Sequence, residues 1–190
     1  MSATATERVA DTGGVQSAAS GTDGLRDQIG AIPDPEIPVL TLGDLGILRC
    51  VETAPDGHVV VRITPTYSGC PAIDPIRREV QRIVRESGPP GAQVRVQLSP
   101  PWSTDWISDE GRRKLHEYGI APPEASERTG MAVPEAPRHV GCALLSGPVC
   151  CPRCGSGDTR EVSRFGATPC QAQHVCNSCL EPFGRFKTLR

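Results

Sequence analysis

An α+β domain with elements in the order helix, strand, strand, helix, strand, helix, followed by a small C-terminal cysteine-rich ribbon, is the fold class that three features of this 190-residue chain predict. Helical apolar periodicity alternates with short β-prone runs through the middle of the sequence. Pro- and Gly-rich segments punctuate those patterns, and two Cys-x-x-Cys pairs lie close to the C-terminus. The length suits one ordinary domain with an appendage.

The elements follow in chain order. Residues 1–22 carry Ala, Thr, Ser and Gly without apolar periodicity and are expected to form a disordered tail. The α+β domain is expected over 23–123. Leu25, Ile29 and Ile32 recur at helical spacing, and Pro33 and Pro35 end the helix. Two β-prone runs, 47–53 and 59–66, flank Ala54-Pro55-Asp56-Gly57-His58, whose turn chemistry predicts a hairpin. Ile73, Ile76, Val80, Ile83 and Val84 mark a core-facing helix over 73–86, stopped by Ser87-Gly88-Pro89-Pro90. Val94, Val96 and Leu98 alternate with Arg95 and Gln97 as in a half-buried strand, which Pro100 and Pro101 terminate. A last helix over 109–118 is expected to be capped by Ser108 and closed by Gly119. Residues 124–149 are rich in Pro, Ala and Gly and read as a linker, and 150–190 as the metal module.

Composition narrows the function classes. A net charge of -2 gives no general electrostatic reason to bind nucleic acid or an anionic membrane. The first residues contain no apolar run suited to a signal segment or a membrane span, so the chain is expected to be soluble and cytoplasmic. In that setting the cysteines are expected to be reduced. The four His residues are scattered, and His58, His116, His139 and His174 read as surface or linker positions.

Cys151, Cys154, Cys176 and Cys179 form two Cys-x-x-Cys pairs separated by residues 155–175. Two intervening residues let a tight turn aim both sulfurs at one ion, and Gly155 suits the positive φ such a turn uses. A structural zinc, one per chain, fits four thiolates in a module with too little core to fold unaided, while four thiolates also suit iron. Cys150 falls outside the best turn register, and Cys170 is an extra thiol. The ribbon carries six basic against three acidic side chains; four thiolates on a divalent ion and the terminal carboxylate bring it close to neutral. That disfavours nucleic-acid binding. Phe165, Phe183 and Phe186 read as its small core.

Cys70 lies in Thr64-Pro65-Thr66-Tyr67-Ser68-Gly69-Cys70-Pro71-Ala72, just before the 73–86 helix, where a helix N-terminus would favour thiolate. A lone cysteine in such a place is also compatible with simple packing. Asp34 and Glu36, taken alone, read as turn acids.

Three motifs carry a resemblance: Asp34-Pro35-Glu36-Ile37-Pro38-Val39, Asp44-Leu45-Gly46-Ile47 and the Thr64–Pro71 loop. They resemble the family of metal-sulfur cluster assembly domains related to SufT. Pro100-Pro101-Trp102-Ser103-Thr104-Asp105-Trp106-Ile107, Gly119-Ile120-Ala121-Pro122-Pro123, and a ribbon with Ser163-Arg164-Phe165-Gly166, Cys170 and Glu181-Pro182-Phe183 extend the likeness over about 23–190. Together they resemble the D-subunit family of phenylacetyl-CoA epoxidases. The resemblance implies an accessory role in aerobic phenylacetate degradation, beside a diiron oxygenase and an iron-sulfur flavoprotein reductase, in maturation or docking. It implies Cys70 as the functional thiol, with Asp34 and Glu36 as possible loop partners and transient iron or iron-sulfur as cargo. The sequence has no Glu-x-x-His pair and no glycine-rich dinucleotide fingerprint, in keeping with an accessory role.

Overall fold

A computed structural model of the chain describes residues 17–123 and 149–189. Most of the expected 1–22 tail and 124–149 linker lies outside these residues, as does His139. Helix α1 (Ser17–Gly30) starts earlier than the expected onset near Asp23, and it buries Leu25 and Ile29. Strands β1 (Leu48–Thr53) and β2 (Val59–Ile63) form the expected antiparallel hairpin, closed by Gly57 at φ 85°. Helix α2 (Ile73–Ser87) turns Ile76, Val80 and Val84 inward. It is the crossover that lets β3 (Gln93–Val96) pair in parallel with β2. The sheet order is β1-β2-β3.

The half-buried strand expected from Val94, Val96 and Leu98 is only partly realised. Val94 is half-buried, but Val96 and Leu98 are 42% and 58% exposed, and Leu98 lies beyond the strand. β3 is an edge strand, paired on one side only. Helix α3 (Asp109–Glu117) is capped as expected: Ser108 Oγ accepts from Gly111 N at 2.9 Å, and Gly119 takes φ 86°.

Asp44 fastens the loop after α1 to α3. Its carboxylate accepts from Thr41 N at 3.0 Å, from Lys114 Nζ at 2.7 Å and from Ser108 Oγ at 3.3 Å. Two residues on, Gly46 sits at φ 66°, where an added Cβ would lie 2.7 Å from the carbonyl oxygen of Trp106. The buried indole of Trp102 donates to Leu45 O at 2.8 Å. The Asp44-Leu45-Gly46 motif is thereby an architectural clamp. Gly46→Ala combines a left-handed backbone with a backbone clash, and is expected to cost roughly 2 to 4 kcal/mol. A urea-unfolding midpoint equal to that of the wild type would contradict this.

The ribbon is not a bead on a linker. Strands β5 (Thr159–Ser163), β6 (Gln171–Cys176) and β7 (Pro182–Phe186) form its antiparallel meander, and β4 (Ile120–Ala121), from the end of the first domain, pairs in parallel with β7. Both domains thus share one sheet, ordered β4-β7-β6-β5. Phe186 and Cys170 belong to the same buried apolar cluster as Leu40, Ile63, Cys70 and Val80. Phe186 packs on Trp102 with ring centroids 6.2 Å apart. Thr104 N donates to Leu189 O at 3.1 Å, and Arg112 joins Thr104 O and Pro123 O at 2.7 and 2.6 Å.

Candidate metal centre and the Cys70 loop

The four sulfurs of Cys151, Cys154, Cys176 and Cys179 converge, all within 4.8 Å of one another. Cys151 Sγ lies 3.8 Å from Cys179 Sγ, and Cys154 Sγ lies 3.6 Å from Cys176 Sγ. A tetrahedral ion with sulfur at about 2.3 Å requires edges of about 3.8 Å, so the donor set fits one ion.

Local turns build that geometry. After Cys151 the chain folds back so that Gly155 N donates to Cys151 O and Cys151 N to Ser156 O, each at 2.9 Å, with Gly155 at φ 74°. The second knuckle repeats the pattern: Leu180 N donates to Cys176 O and Cys176 N to Glu181 O, each at 3.0 Å, and Leu180 takes the positive φ of 65°. Asn177 ties the knuckles together through Asp158, its Nδ2 donating to Asp158 Oδ1 at 2.8 Å. Backbone N–H groups of Cys179 and Ser178 aimed at Cys176 pull its thiol down to about 6.

Several sequence readings of the ribbon change. Cys150 is disulfide-bonded, so the expectation of uniformly reduced cysteines does not hold there, and Cys150 stands outside the tetrad. Phe183 and Phe186 are buried, but Phe165 is 72% exposed with Lys187 Nζ 4.7 Å above its ring. His58 and His116 are exposed, whereas His174 is buried beside Phe183. Its inward position follows from the register of β6, which turns Ala172, His174 and Cys176 to one face.

Cys70 occupies a tight turn between β2 and α2, with Cys70 N donating to Tyr67 O at 3.1 Å and Ile73 N to Cys70 O at 3.3 Å. It is 8% exposed. The helix terminus does not lower this thiol. Burial pushes the thiol above its ordinary value, and the Thr66 hydroxyl and the Ala72 N–H offset that only in part. Desolvation outweighs the helix terminus because the sulfur sits in the apolar cluster.

Asp34 and Glu36 face this loop. Asp34 is buried, and its Oδ1 accepts from Glu36 N at 2.9 Å and Ile37 N at 2.8 Å, closing a local turn. Burial nevertheless raises its pKa. Glu36 is raised too, by burial and then by the Asp34 charge. Both carboxylates act electrostatically on Cys70, and both act on Cys170. The structure therefore converges the four ribbon sulfurs on one point, while Asp34 and Glu36 act on Cys70 through their charge. The burial of Cys170 in the shared apolar cluster was not legible in the sequence; the apolar Phe186 and Leu189 near the C-terminus were the available sign that the ribbon docks.

Comparison with known proteins divides the chain along the same line. The family described as "Iron-sulfur cluster assembly protein" matches residues 23–98, and the "PaaD zinc beta ribbon domain" matches 137–187. A protein of Escherichia coli (strain K12) named as the D-subunit of a "Putative 1,2-phenylacetyl-CoA epoxidase" is 43% identical over 158 residues, spanning 83% of this chain and 87% of its own length. An "Fe-S protein maturation auxiliary factor" of Porphyromonas gingivalis is 37% identical over 83 residues, 43% of this chain and 78% of that protein. An "Iron-sulfur cluster carrier protein" of Mycobacterium tuberculosis (strain ATCC 25618 / H37Rv) is 36% identical over 93 residues, 49% of this chain and 22% of that protein. Among the described residues, no helix is long and apolar enough to cross a membrane.

Proposed function

The chain belongs to the D-subunit family of 1,2-phenylacetyl-CoA epoxidases, and from that premise we propose that it is a cytoplasmic accessory subunit that assists iron or iron-sulfur maturation of the epoxidase in phenylacetate degradation. Its clients are the diiron oxygenase or the iron-sulfur flavoprotein reductase. Cys70 is the working thiol, Asp34 and Glu36 are its loop partners, and the ribbon tetrad holds one structural zinc. The domains in this reading are the α+β unit over 23–123 and the ribbon over 150–190, joined by the 124–149 linker.

One observation carries the reading: the buried Cys70 thiol and the two carboxylates whose charge acts on it all lie inside the segment that matches iron-sulfur assembly proteins. Thiol and carboxylate together form a mixed set suited to iron, while the ribbon sulfurs already form a closed tetrahedral set of the structural kind. A docking subunit is the second reading, favoured by Val96 and Leu98 on the exposed end of the β3 edge.

The two readings separate in one experiment. Epoxidase components purified from cells with and without this protein are assayed for iron and activity. Maturation requires iron-poor components in its absence. Components that are fully loaded but fail to assemble would leave docking alone.

A further inference from the structure

We propose that the free edge of β3 is a docking strand: it takes an extended segment of a partner protein as a fourth strand of the β1-β2-β3 sheet, and that segment carries an acidic residue between two apolar ones. This deepens the docking reading and rests on it.

The backbone supplies the template. Gln97 N donates to Ile63 O at 2.8 Å, and β3 runs parallel to β2 with Val61 beside Val94 and Ile63 beside Val96. Alternate residues of a parallel strand bond to the same neighbour, so Arg95 and Gln97 turn their N–H groups to β2 while Val94 and Val96 turn theirs to the open side. β3 is the last strand of its sheet. Such an edge leaves a row of donors and acceptors that one more strand satisfies.

The side chains set the composition of the incoming strand. Val94 and Val96 lie on the face that Val61 and Ile63 bury in the core, yet Val96 is 42% exposed. Apolar residues of an added strand would cover that face of the edge. Arg95 lies on the opposite face, directly beside Arg62. Arg62 is neutralised by Glu52, whose Oε1 accepts from its Nε at 2.9 Å and its Nη2 at 2.7 Å. Arg95 instead donates to the neutral amide oxygen of Gln93 at 2.9 Å, and among the described residues it makes no ion pair. Like charges on neighbouring strands repel, and a carboxylate arriving from the open side offsets that repulsion. A cavity of about 410 Å³ on this face, lined in part by Val60, Arg62, Gln93 and Arg95, gives the carboxylate room. Strand alternation then dictates the order apolar, acidic, apolar, with the acid beside Arg95 and its neighbours beside Val94 and Val96.

The edge is also well placed. Because β2 and β3 are parallel, the Val96 end of the edge lies at the end of the sheet where β2 gives way to the Thr64–Pro71 loop. A segment bound along β3 therefore holds its protein at the end of the sheet that carries Cys70.

The test uses the full zinc-loaded chain, mixed in turn with each purified epoxidase component, with gel filtration to detect a complex and hydrogen exchange to read residues 93–98. In the complex, exchange at Val94 and Val96 should slow by about tenfold or more. Val96→Pro removes one outward N–H and leaves the bonds to β2 intact, as proline can on an edge strand. Arg95→Glu reverses the charge of an exposed side chain. Each should weaken the complex about tenfold while zinc content and melting temperature of the free chain stay unchanged, and Arg95→Lys should bind nearly as the wild type does. A complex that leaves exchange at 93–98 unaltered, or that Arg95→Glu leaves equally tight, overturns the proposal while docking through another face stands. Protection that appears in the chain alone and grows with its concentration puts a second copy on the edge and overturns it equally. If no component binds, the docking reading falls and takes this proposal with it. Should Val96→Pro fail to fold, Arg95→Glu and the exchange of the wild type decide.

Discussion

Cys176→Ser is expected to strip the zinc from the chain and unfold the 149–189 module. Among the described residues, the cluster of buried residues around the tetrad is only Ala121, Cys151, Cys176 and Phe183, with Val149 packed against it. Such a core offers little burial to offset the conformational entropy of ordering the module. In the zinc reading, metal binding supplies the difference: structural zinc sites contribute about 10 to 16 kcal/mol of apparent free energy in small modules. Cys176 is the most demanding of the four to replace, because it is fully buried and receives the N–H of its own knuckle from Cys179 at 3.5 Å. The damage should spread. Phe186 and Cys170 leave the shared core when the ribbon unfolds, so the α+β domain should melt at a lower temperature as well. Cys150→Ser is the control, because Cys150 stands outside the tetrad and should leave about one zinc per chain. Metal analysis and hydrogen exchange on both variants check this, and equal zinc loss in the two would contradict the ligand assignment.

Cys70→Ala should leave the chain folded and zinc-loaded yet abolish growth on phenylacetate as sole carbon source. Truncating the thiol leaves a small cavity, at a cost of about 1 kcal/mol. That is too little to remove a domain whose core includes Leu40, Ile63 and Val80. A packing role would therefore reduce growth only in step with the folded fraction. A working thiol would remove growth while the melting temperature barely moves. Burial raises the thiol's pKa, so a cation or a partner group that replaces the proton would favour its working form. Growth of the Cys70→Ala strain at the wild-type rate would take Cys70 out of the mechanism.

Much of this was legible in the sequence where chemistry is local. The hairpin at Pro55-Asp56-Gly57, the Ser108 cap and the 73–87 helix each follow from residues that sit next to one another. The tetrad was equally readable, because a Cys-x-x-Cys turn fixes its own geometry. What failed was anything set by tertiary contact. Val96 looked half-buried by alternation, but burial depends on what lies over the face, and β3 is an edge. The Cys70 thiolate looked favoured by the α2 terminus until desolvation by the surrounding cluster outweighed it. His174 and Phe165 exchanged places, one buried and one exposed, because strand register and not residue type decides which face is inside. Docking of the ribbon, and with it the burial of Cys170 in the shared core, depends on pairing between β4 and β7, two short strands with no sequence signature of their partnership.

The most direct measurement of iron handling is transfer itself. The purified chain, zinc-replete and loaded with ferrous iron, is mixed anaerobically with an iron-free epoxidase component, separated from it, and each fraction is assayed for iron and zinc. Iron should move to the component while zinc stays behind, and the Cys70→Ala chain should deliver none. A component that fills equally fast from free ferrous iron with the chain absent, or iron that never leaves the chain, would contradict a role in maturation.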